Sequence, residues 1–105
     1  MQRYEISNNQ IVSDGYAIRF INCKDGKVAG NHAKVKTGNV LYFESGSTGN
    51  EITLNTLDAS EGPDHGVVMF NGHDTRGNRV SKNTLIKKGK QPGAYVNWGG
   101  AKNDF

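Results

Sequence analysis

The sequence predicts an all-β fold, a small antiparallel sandwich or Greek-key barrel of six to eight short strands. Glycine or proline interrupts nearly every stretch long enough for three helical turns, and 14 of the 105 residues are glycine. Short runs of β-branched and aromatic residues are separated by turn signals about every ten residues. Evenly spaced short strands of this kind are typical of sandwiches and small barrels. No repeat of fixed period stands out.

A hairpin is predicted near the amino terminus. Residues 4–12 form a first strand and residues 16–22 a second, in which Tyr16, Ile18 and Phe20 share one face. The pair Asp25-Gly26 favours a type I′ turn, because both central residues of that turn have positive φ. Residues 27–36 are therefore expected to run back antiparallel to the second strand.

A meander is predicted for the rest of the chain. Residues 40–45 and 51–57 are strand-like runs that each follow a turn rich in glycine and asparagine. Residues 67–70 are an unbroken apolar quartet, Val-Val-Met-Phe, and are the candidate for a central strand buried on both faces. Residues 84–88 and 94–98 complete the set.

Length and composition limit the chain to one domain, residues 1–105. Hydrophobic residues make up 34% of the chain, and the mean hydropathy is −0.67. No stretch is long and apolar enough to span a membrane, and residues 1–10 lack the apolar centre of a signal peptide. We therefore expect a soluble protein, with the cytoplasm slightly favoured as its compartment. A single cysteine, Cys23, excludes an internal disulfide.

The carboxy-terminal third carries the main functional signal. Residues 75–105 hold seven of the 13 Lys and Arg residues, interleaved with Tyr95 and Trp98. Cationic grooves with aromatic faces hold single-stranded nucleic acids, because the cations pair with phosphates and the bases stack on the rings. The sequence therefore favours a non-catalytic domain that binds an anionic polymer, RNA or single-stranded DNA. The predicted contacts are Arg76, Arg79, Lys82, Lys87, Lys88, Lys90, Tyr95 and Trp98.

Strand alternation complicates this hypothesis. In an extended segment from residue 94 to 98, Tyr95 and Asn97 point to one side and Trp98 points to the other. The two aromatic side chains cannot then line one flat surface. Trp98 could equally be the largest side chain of the core.

A catalytic function is an alternative to nucleic-acid binding. The candidate catalytic residues are His32, His65 and His73, which with a nearby lysine could supply the acid, base and cation of a metal-independent ribonuclease. A two-histidine metal site is disfavoured, because an extended strand separates His65 from His73. Phosphate-binding loops and dinucleotide motifs are missing, so no metal and no cofactor is predicted.

Two further alternatives stay open. A lectin-like, carbohydrate-binding domain is compatible with abundant asparagine and an exposed tryptophan, since amides bind sugar hydroxyls and rings pack on their C–H faces. A virion or other assembly subunit is compatible with many potential edge strands, which allow self-association.

Overall fold

Parallel strands, wound into a β-solenoid of about four turns, form this molecule. The computed structural model describes residues 2–60, 67–87 and 95–104. Thirteen strands occur in this part of the chain. They are β1 (Glu5–Ser7), β2 (Gln10–Ser13), β3 (Ile18–Ile21), β4 (Lys27–Ala29), β5 (His32–Val35), β6 (Leu41–Glu44), β7 (Glu51–Thr53), β8 (Thr56–Ala59), β9 (Val68–Asn71), β10 (Arg76–Ser81), β11 (Thr84–Lys87), β12 (Tyr95–Trp98) and β13 (Lys102–Asp104).

Each turn contributes one strand to each of three sheets. The first sheet has the order β1-β4-β7-β10-β13, the second β2-β5-β8-β11 and the third β3-β6-β9-β12. Five residues separate matched positions of the first and second sheets in every turn, as from Glu5 to Gln10 or from Lys27 to His32. The total spacing from turn to turn varies instead, because the positions that stack in register are Glu5, Lys27, Glu51, Arg79 and Asp104.

The predicted antiparallel sandwich or Greek-key barrel is therefore wrong. Asp25 has positive φ, 56°, but Gly26 does not, so the predicted type I′ turn is not formed. The chain turns a corner there instead of reversing, so β4 pairs with β1 and β7 and not with β3. The central position predicted for the apolar quartet is confirmed, because β9 lies between β6 and β12 and buries Val68 and Phe70, but burial on both faces is wrong, because Met69 and Asn71 are on the outer face.

Apolar side chains stack along the solenoid axis to form the core. Phe20, Phe43 and Phe70 occupy matched positions of the third sheet, with ring centroids 4.0 Å and 5.0 Å apart. Val28 and Ile52 form a similar column on the first sheet, and both are fully buried. Stacked rings and aliphatic columns remove a continuous apolar surface from water, which is the main stabilising contribution to the fold.

Asparagine side chains stack at the corner between the first and second sheets. We call Asn9, Asn31, Asn55 and Asn83 the first ladder. The Oδ1 of Asn31 accepts hydrogen bonds from the backbone N–H and the Nδ2 of Asn9, at 3.1 and 3.0 Å, and Asn55 does the same for Asn31. Each Nδ2 from Asn31 onward also donates to a backbone carbonyl of the preceding turn, such as Val28 O for Asn55. The ladder satisfies buried backbone groups that the corner takes out of the sheets.

A second ladder lies where the chain enters the first sheet. Its matched positions are Tyr4, Gly26, Asn50, Asn78 and Asn103. The Oδ1 of Asn50 accepts from the Gly26 N–H at 3.0 Å and from the Tyr4 hydroxyl at 2.6 Å. The Tyr4 ring lies directly over Gly26, where a Cβ would come within 2.1 Å of it. Tyrosine thus takes the place that an asparagine side chain would have in this turn.

The last described strand of the third sheet ends both ladders. Asn83 donates to the hydroxyl of Tyr95 at 3.4 Å, and Asn103 donates to the Oδ1 of Asn97 at 2.8 Å. Tyr95 and Asn97 share one side of β12, as the alternation predicted, and Trp98 lies on the other. Burial raises the pKa of Tyr95 above its usual value, although its hydrogen bond from Asn83 acts in the opposite direction.

Charges of alternating sign stack on the outer face of the first sheet. In register, the column is Glu5, Lys27, Glu51, Arg79 and Asp104. All five side chains are exposed. Opposite charges at neighbouring positions favour this register, because a shift of one strand along its neighbour would separate the paired charges.

Candidate binding cleft on the third sheet

The outer face of the third sheet carries two side-chain columns. Alternate residues of a strand share a face, so Tyr42 and Glu44 project outward from β6, Met69 and Asn71 from β9, and Trp98 from β12. Asn71 and Trp98 are directly matched neighbours, as are Tyr42 and Met69. This face therefore combines aromatic, thioether and amide groups, whereas the first sheet presents charges.

A cleft of about 400 Å³ lies on this face. The side chains that line it come from the outer columns and from the corner between the second and third sheets. They are Tyr16, Asn39, Tyr42, Met69, Asn71 and Trp98, and Gly38 completes the lining. A cleft of this size that is lined by rings and amide groups is the usual form of a small-ligand site.

The Tyr42 ring at one end of the cleft is held on two sides. Its hydroxyl oxygen accepts a hydrogen bond from Asn71 Nδ2 at 2.8 Å. Its ring centroid lies 5.0 Å from that of Tyr16. Tyr16 in turn lies against Gly38, which has a φ of 75° and where a Cβ would be 3.3 Å from the ring. Glycine at this position lets the tyrosine pair approach the turn.

Trp98 forms the other end of the cleft. Its side chain is 65% exposed, so the interpretation of Trp98 as a core residue is wrong. The backbone after it is a tight turn in which Gly99 and Gly100 have φ of 62° and 86°. The Trp98 carbonyl accepts hydrogen bonds from Gly72 N at 2.9 Å and from Ala101 N at 3.2 Å. These bonds fix the backbone beneath an indole ring that remains open to solvent.

An ion pair lies beside the cleft. The Arg19 guanidinium donates two hydrogen bonds to the Glu44 carboxylate, Nη2 to Oε1 at 2.9 Å and Nε to Oε2 at 3.3 Å. The guanidinium carbon is 5.9 Å from the centroid of the Tyr42 ring. The two charges are thus paired with each other in bidentate geometry, and the cation also packs on the aromatic face.

The predicted nucleic-acid contacts do not gather on one face of the described structure. Arg76 and Arg79 belong to β10 of the first sheet and Lys82 to the corner that follows it, whereas Trp98 lies on the outer face of the third sheet. Tyr95 is turned toward the end of the ladders. Lys87 lies in β11, while Lys88 and Lys90 are outside the described residues.

The predicted catalytic histidines are also not brought together where the structure describes them. His32 is exposed on the second sheet in β5, and His73 is exposed in the turn between β9 and β10. His65 lies outside the described residues. Within residues 2–60, 67–87 and 95–104, no group of three or more His, Cys, Asp or Glu side chains could hold a metal ion.

Asp58 is the titratable group on the second sheet whose environment is most distinctive. Burial disfavours its charged form, but hydrogen bonds from the Ser60 hydroxyl and backbone N–H outweigh burial and lower its pKa. The nearby Lys34 and His32 act in the same direction. An ionised aspartate that closes a local turn explains this group without a catalytic role.

Comparison with known proteins adds no relative. No protein-family model, curated protein or solved structure matches this chain. Among the described residues, no helix has the length and apolar character needed to cross a membrane.

Most of the cleft residues were missed by the sequence analysis. The sequence predicts Tyr16 on the same strand face as Phe20 and Met69 in a strand buried on both faces, and it predicts no role for Tyr42 and Asn71. The missing signal is the solenoid register, which stacks residues 19, 42, 69 and 96 in one column and 21, 44, 71 and 98 in the next. The recurrence of asparagine at 31, 55 and 83 marks the register of the first two sheets only, because the connections to the third sheet differ in length.

Proposed function

We propose that this protein is a carbohydrate-binding, lectin-like domain whose site is the cleft on the third sheet. The observation that carries the proposal is the exposed Trp98 at one end of a 400 Å³ cleft, opposite the paired rings of Tyr16 and Tyr42. Aromatic rings pack on the C–H faces of sugars, and rings that are already fixed lose little conformational entropy on binding.

Amide groups complete the proposed site. Asn71 bridges the two ends, because it donates to the Tyr42 hydroxyl and is matched in register with Trp98. Since the Tyr42 oxygen accepts from Asn71, its hydroxyl hydrogen can be donated to a ligand oxygen. Nearby polar groups of this kind give orientation to a ligand that the rings hold by packing.

The binding of RNA or single-stranded DNA has less support from the same geometry. Of its predicted cations that the structure describes, Arg76 and Arg79 lie on the first sheet, where Arg79 stacks between Glu51 and Asp104, and Lys87 lies on the second sheet. An anionic polymer would have to cross from these cations around the solenoid to reach Trp98. Among the described residues, no specific contact favours this prediction, the ribonuclease or the assembly subunit.

Tryptophan fluorescence tests the proposal directly, because Trp98 is the single tryptophan of the chain. We expect neutral glycans from a mixed panel to shift or quench its emission, with little dependence on salt. Calorimetry with Trp98→Ala should show at least a tenfold loss of affinity. Val12→Ala, which truncates an exposed side chain on the second sheet, is the matched control and should bind as the parent does. Salt-sensitive binding of RNA that survives Trp98→Ala would overturn the proposal.

A further inference from the structure

We infer that the ligand of the cleft is a neutral oligosaccharide of at least two sugar rings that runs diagonally across the strands of the third sheet. This inference rests on the proposed function and deepens it. Two features carry it, namely the separation of the aromatic ends of the cleft and the pairing of the charges beside it.

The aromatic ends lie two strands apart. Tyr42 belongs to β6 and Trp98 to β12, and β9 lies between them. Trp98 lies two residues further along its strand than the position in register with Tyr42, and because neighbouring strands of a sheet are about 4.8 Å apart, the two strand steps add about 9.6 Å along the axis. A single pyranose ring is about half that length. One ring can therefore contact one end, and contact with both ends requires a ligand of two rings or more.

The middle of the cleft favours an extended ligand. Met69 on β9 lies between the two ends, and its flexible, polarisable thioether can pack under a sugar without a fixed shape. Asn71 lies two residues after Met69 on the same strand, next to Trp98, and adds an amide group to the middle of the cleft. From Tyr42 to Trp98 the order is thus ring, thioether with amide, ring, on a diagonal across three strands and not in a closed pocket.

The charges next to the cleft favour a neutral ligand. Arg19 is the cation beside Tyr42, and Glu44 already occupies its guanidinium with two hydrogen bonds. Binding a uronate or sulfate would require breaking that bidentate pair or placing the anion next to Glu44. Either alternative costs free energy, because bidentate charge-assisted bonds are stronger than neutral ones. Binding of a neutral hydroxyl leaves the ion pair intact and does not have this cost.

A length series of oligosaccharides tests the inference. Affinity is measured by calorimetry for one to six units of a neutral, β-linked glucan or mannan, and for a polyuronate series of matched length. We expect a rise of at least tenfold between one and three units, then a plateau, with uronates bound at least tenfold more weakly. In Trp98→Ala the remaining affinity should no longer increase with length, while Val12→Ala should keep the parent length dependence.

A change of the ion pair tests ligand charge separately. Glu44→Gln leaves Arg19 without its carboxylate partner and should improve uronate binding severalfold at low salt. An unchanged ratio of uronate to neutral binding would overturn the role of the ion pair. Tighter uronate binding by the parent, or equal affinity for one and three units, would overturn the inference and leave carbohydrate binding intact. Failure of every glycan to bind or to shift Trp98 emission would overturn both.

Discussion

Both ladders supply hydrogen bonds to backbone groups at a corner of the solenoid, but only the first ladder has asparagine in every turn. The first ladder has asparagine in all four of its turns, whereas the second has Tyr4 and Gly26 in the two turns where it begins. Five residues always separate the two sheets that meet at the first ladder, from Glu5 to Gln10 and from Lys27 to His32, while the corner at the second ladder varies in length. A corner of constant geometry leaves the same backbone groups without a partner in each turn, so the same type of side chain can hydrogen-bond them every time. Where the geometry changes, a different side chain can take over.

The largest expected effect is the loss of an inner member of the first ladder. Asn55→Ala removes the acceptor for the N–H and the Nδ2 of Asn31 and the donor to Val28 O. Each buried polar group left without a partner costs about 1–3 kcal/mol, so we expect a total loss of roughly 3–5 kcal/mol. Urea unfolding measures it. Asn9→Ala, at the exposed end of the ladder, is the matched control and should cost about 1 kcal/mol. Equal losses would show that ladder position does not matter.

The second prediction is that Gly26→Asn changes stability in opposite directions with and without the Tyr4 side chain. Gly26→Asn should destabilise the parent by about 1–3 kcal/mol, because the Cβ would overlap the Tyr4 ring. In a Tyr4→Ala background the ring is gone, Asn50 Oδ1 has lost the Tyr4 hydroxyl as a donor, and Gly26 has no positive φ to prevent substitution. There, Gly26→Asn should stabilise. Thermal melting of the four proteins measures the coupling, and a destabilising effect in both backgrounds would contradict our account of the second ladder.

A smaller effect concerns the Tyr4 hydroxyl alone. Tyr4→Phe keeps the ring over Gly26 and removes the bond to Asn50, at a cost of about 1 kcal/mol. Burial, with a smaller contribution from Cys23, raises the pKa of Tyr4 above its usual range. A raised folded pKa contributes stability that is present below the unfolded value of about 10 and is lost as the pH rises through the folded value.

The pH dependence supplies the measurement for Tyr4. Urea midpoints between pH 8 and pH 11 should fall in the parent, and they should fall less in Tyr4→Phe. Tyr95, whose pKa is also raised by burial, accounts for the slope that remains. Identical slopes for parent and Tyr4→Phe would remove Tyr4 from this account.

The smallest expected effect belongs to the exposed charge column, which sharpens the contrast with the buried ladders. Lys27→Glu places three acidic residues in succession, with Glu5 and Glu51 as neighbours. Cross-strand charge pairs contribute about 0.2–1 kcal/mol each in an exposed sheet. We therefore expect a loss of about 1 kcal/mol that shrinks at high salt, whereas the Asn55→Ala loss should not depend on salt. Lys27→Gln, which removes the attraction without adding repulsion, should fall between the parent and Lys27→Glu.

The sequence predicts the strands better than it predicts how they pair. Alternation separates Tyr95 from Trp98, because side-chain alternation is a property of each strand alone. Pairing depends on where the chain goes at each corner, and the Asp25-Gly26 pair, which favours a type I′ turn, forms a solenoid corner in which Asp25 has positive φ and Gly26 does not. The repeat is concealed because the spacing between turns varies, chiefly through unequal connections between the second and third sheets.

The candidate site was harder to predict for the same reason. The cleft is a column property, since Tyr42, Met69 and Trp98 meet through strand register and are far apart in the chain. The charge excess of residues 75–105 predicts one surface, but the solenoid places Arg76 and Arg79 on the first sheet and Lys87 on the second. The asparagines at 31, 55 and 83 mark the register of the first two sheets, whereas the register of the third sheet depends on connections of unequal length.

The stacking of turns also determines how damage spreads through the molecule. Each strand pairs with the turn before and the turn after, and no described strand pairs beyond them. Stability then behaves as a sum of contributions from single turns and from the interfaces between neighbours, as in other linear repeat architectures. Heating should therefore loosen the molecule from an end inward, and Phe43, which packs between Phe20 and Phe70, should be among the last to become mobile. A longer solenoid should follow the same rule. A duplicated turn would add its own core residue, its own ladder asparagine and its own section of the cleft.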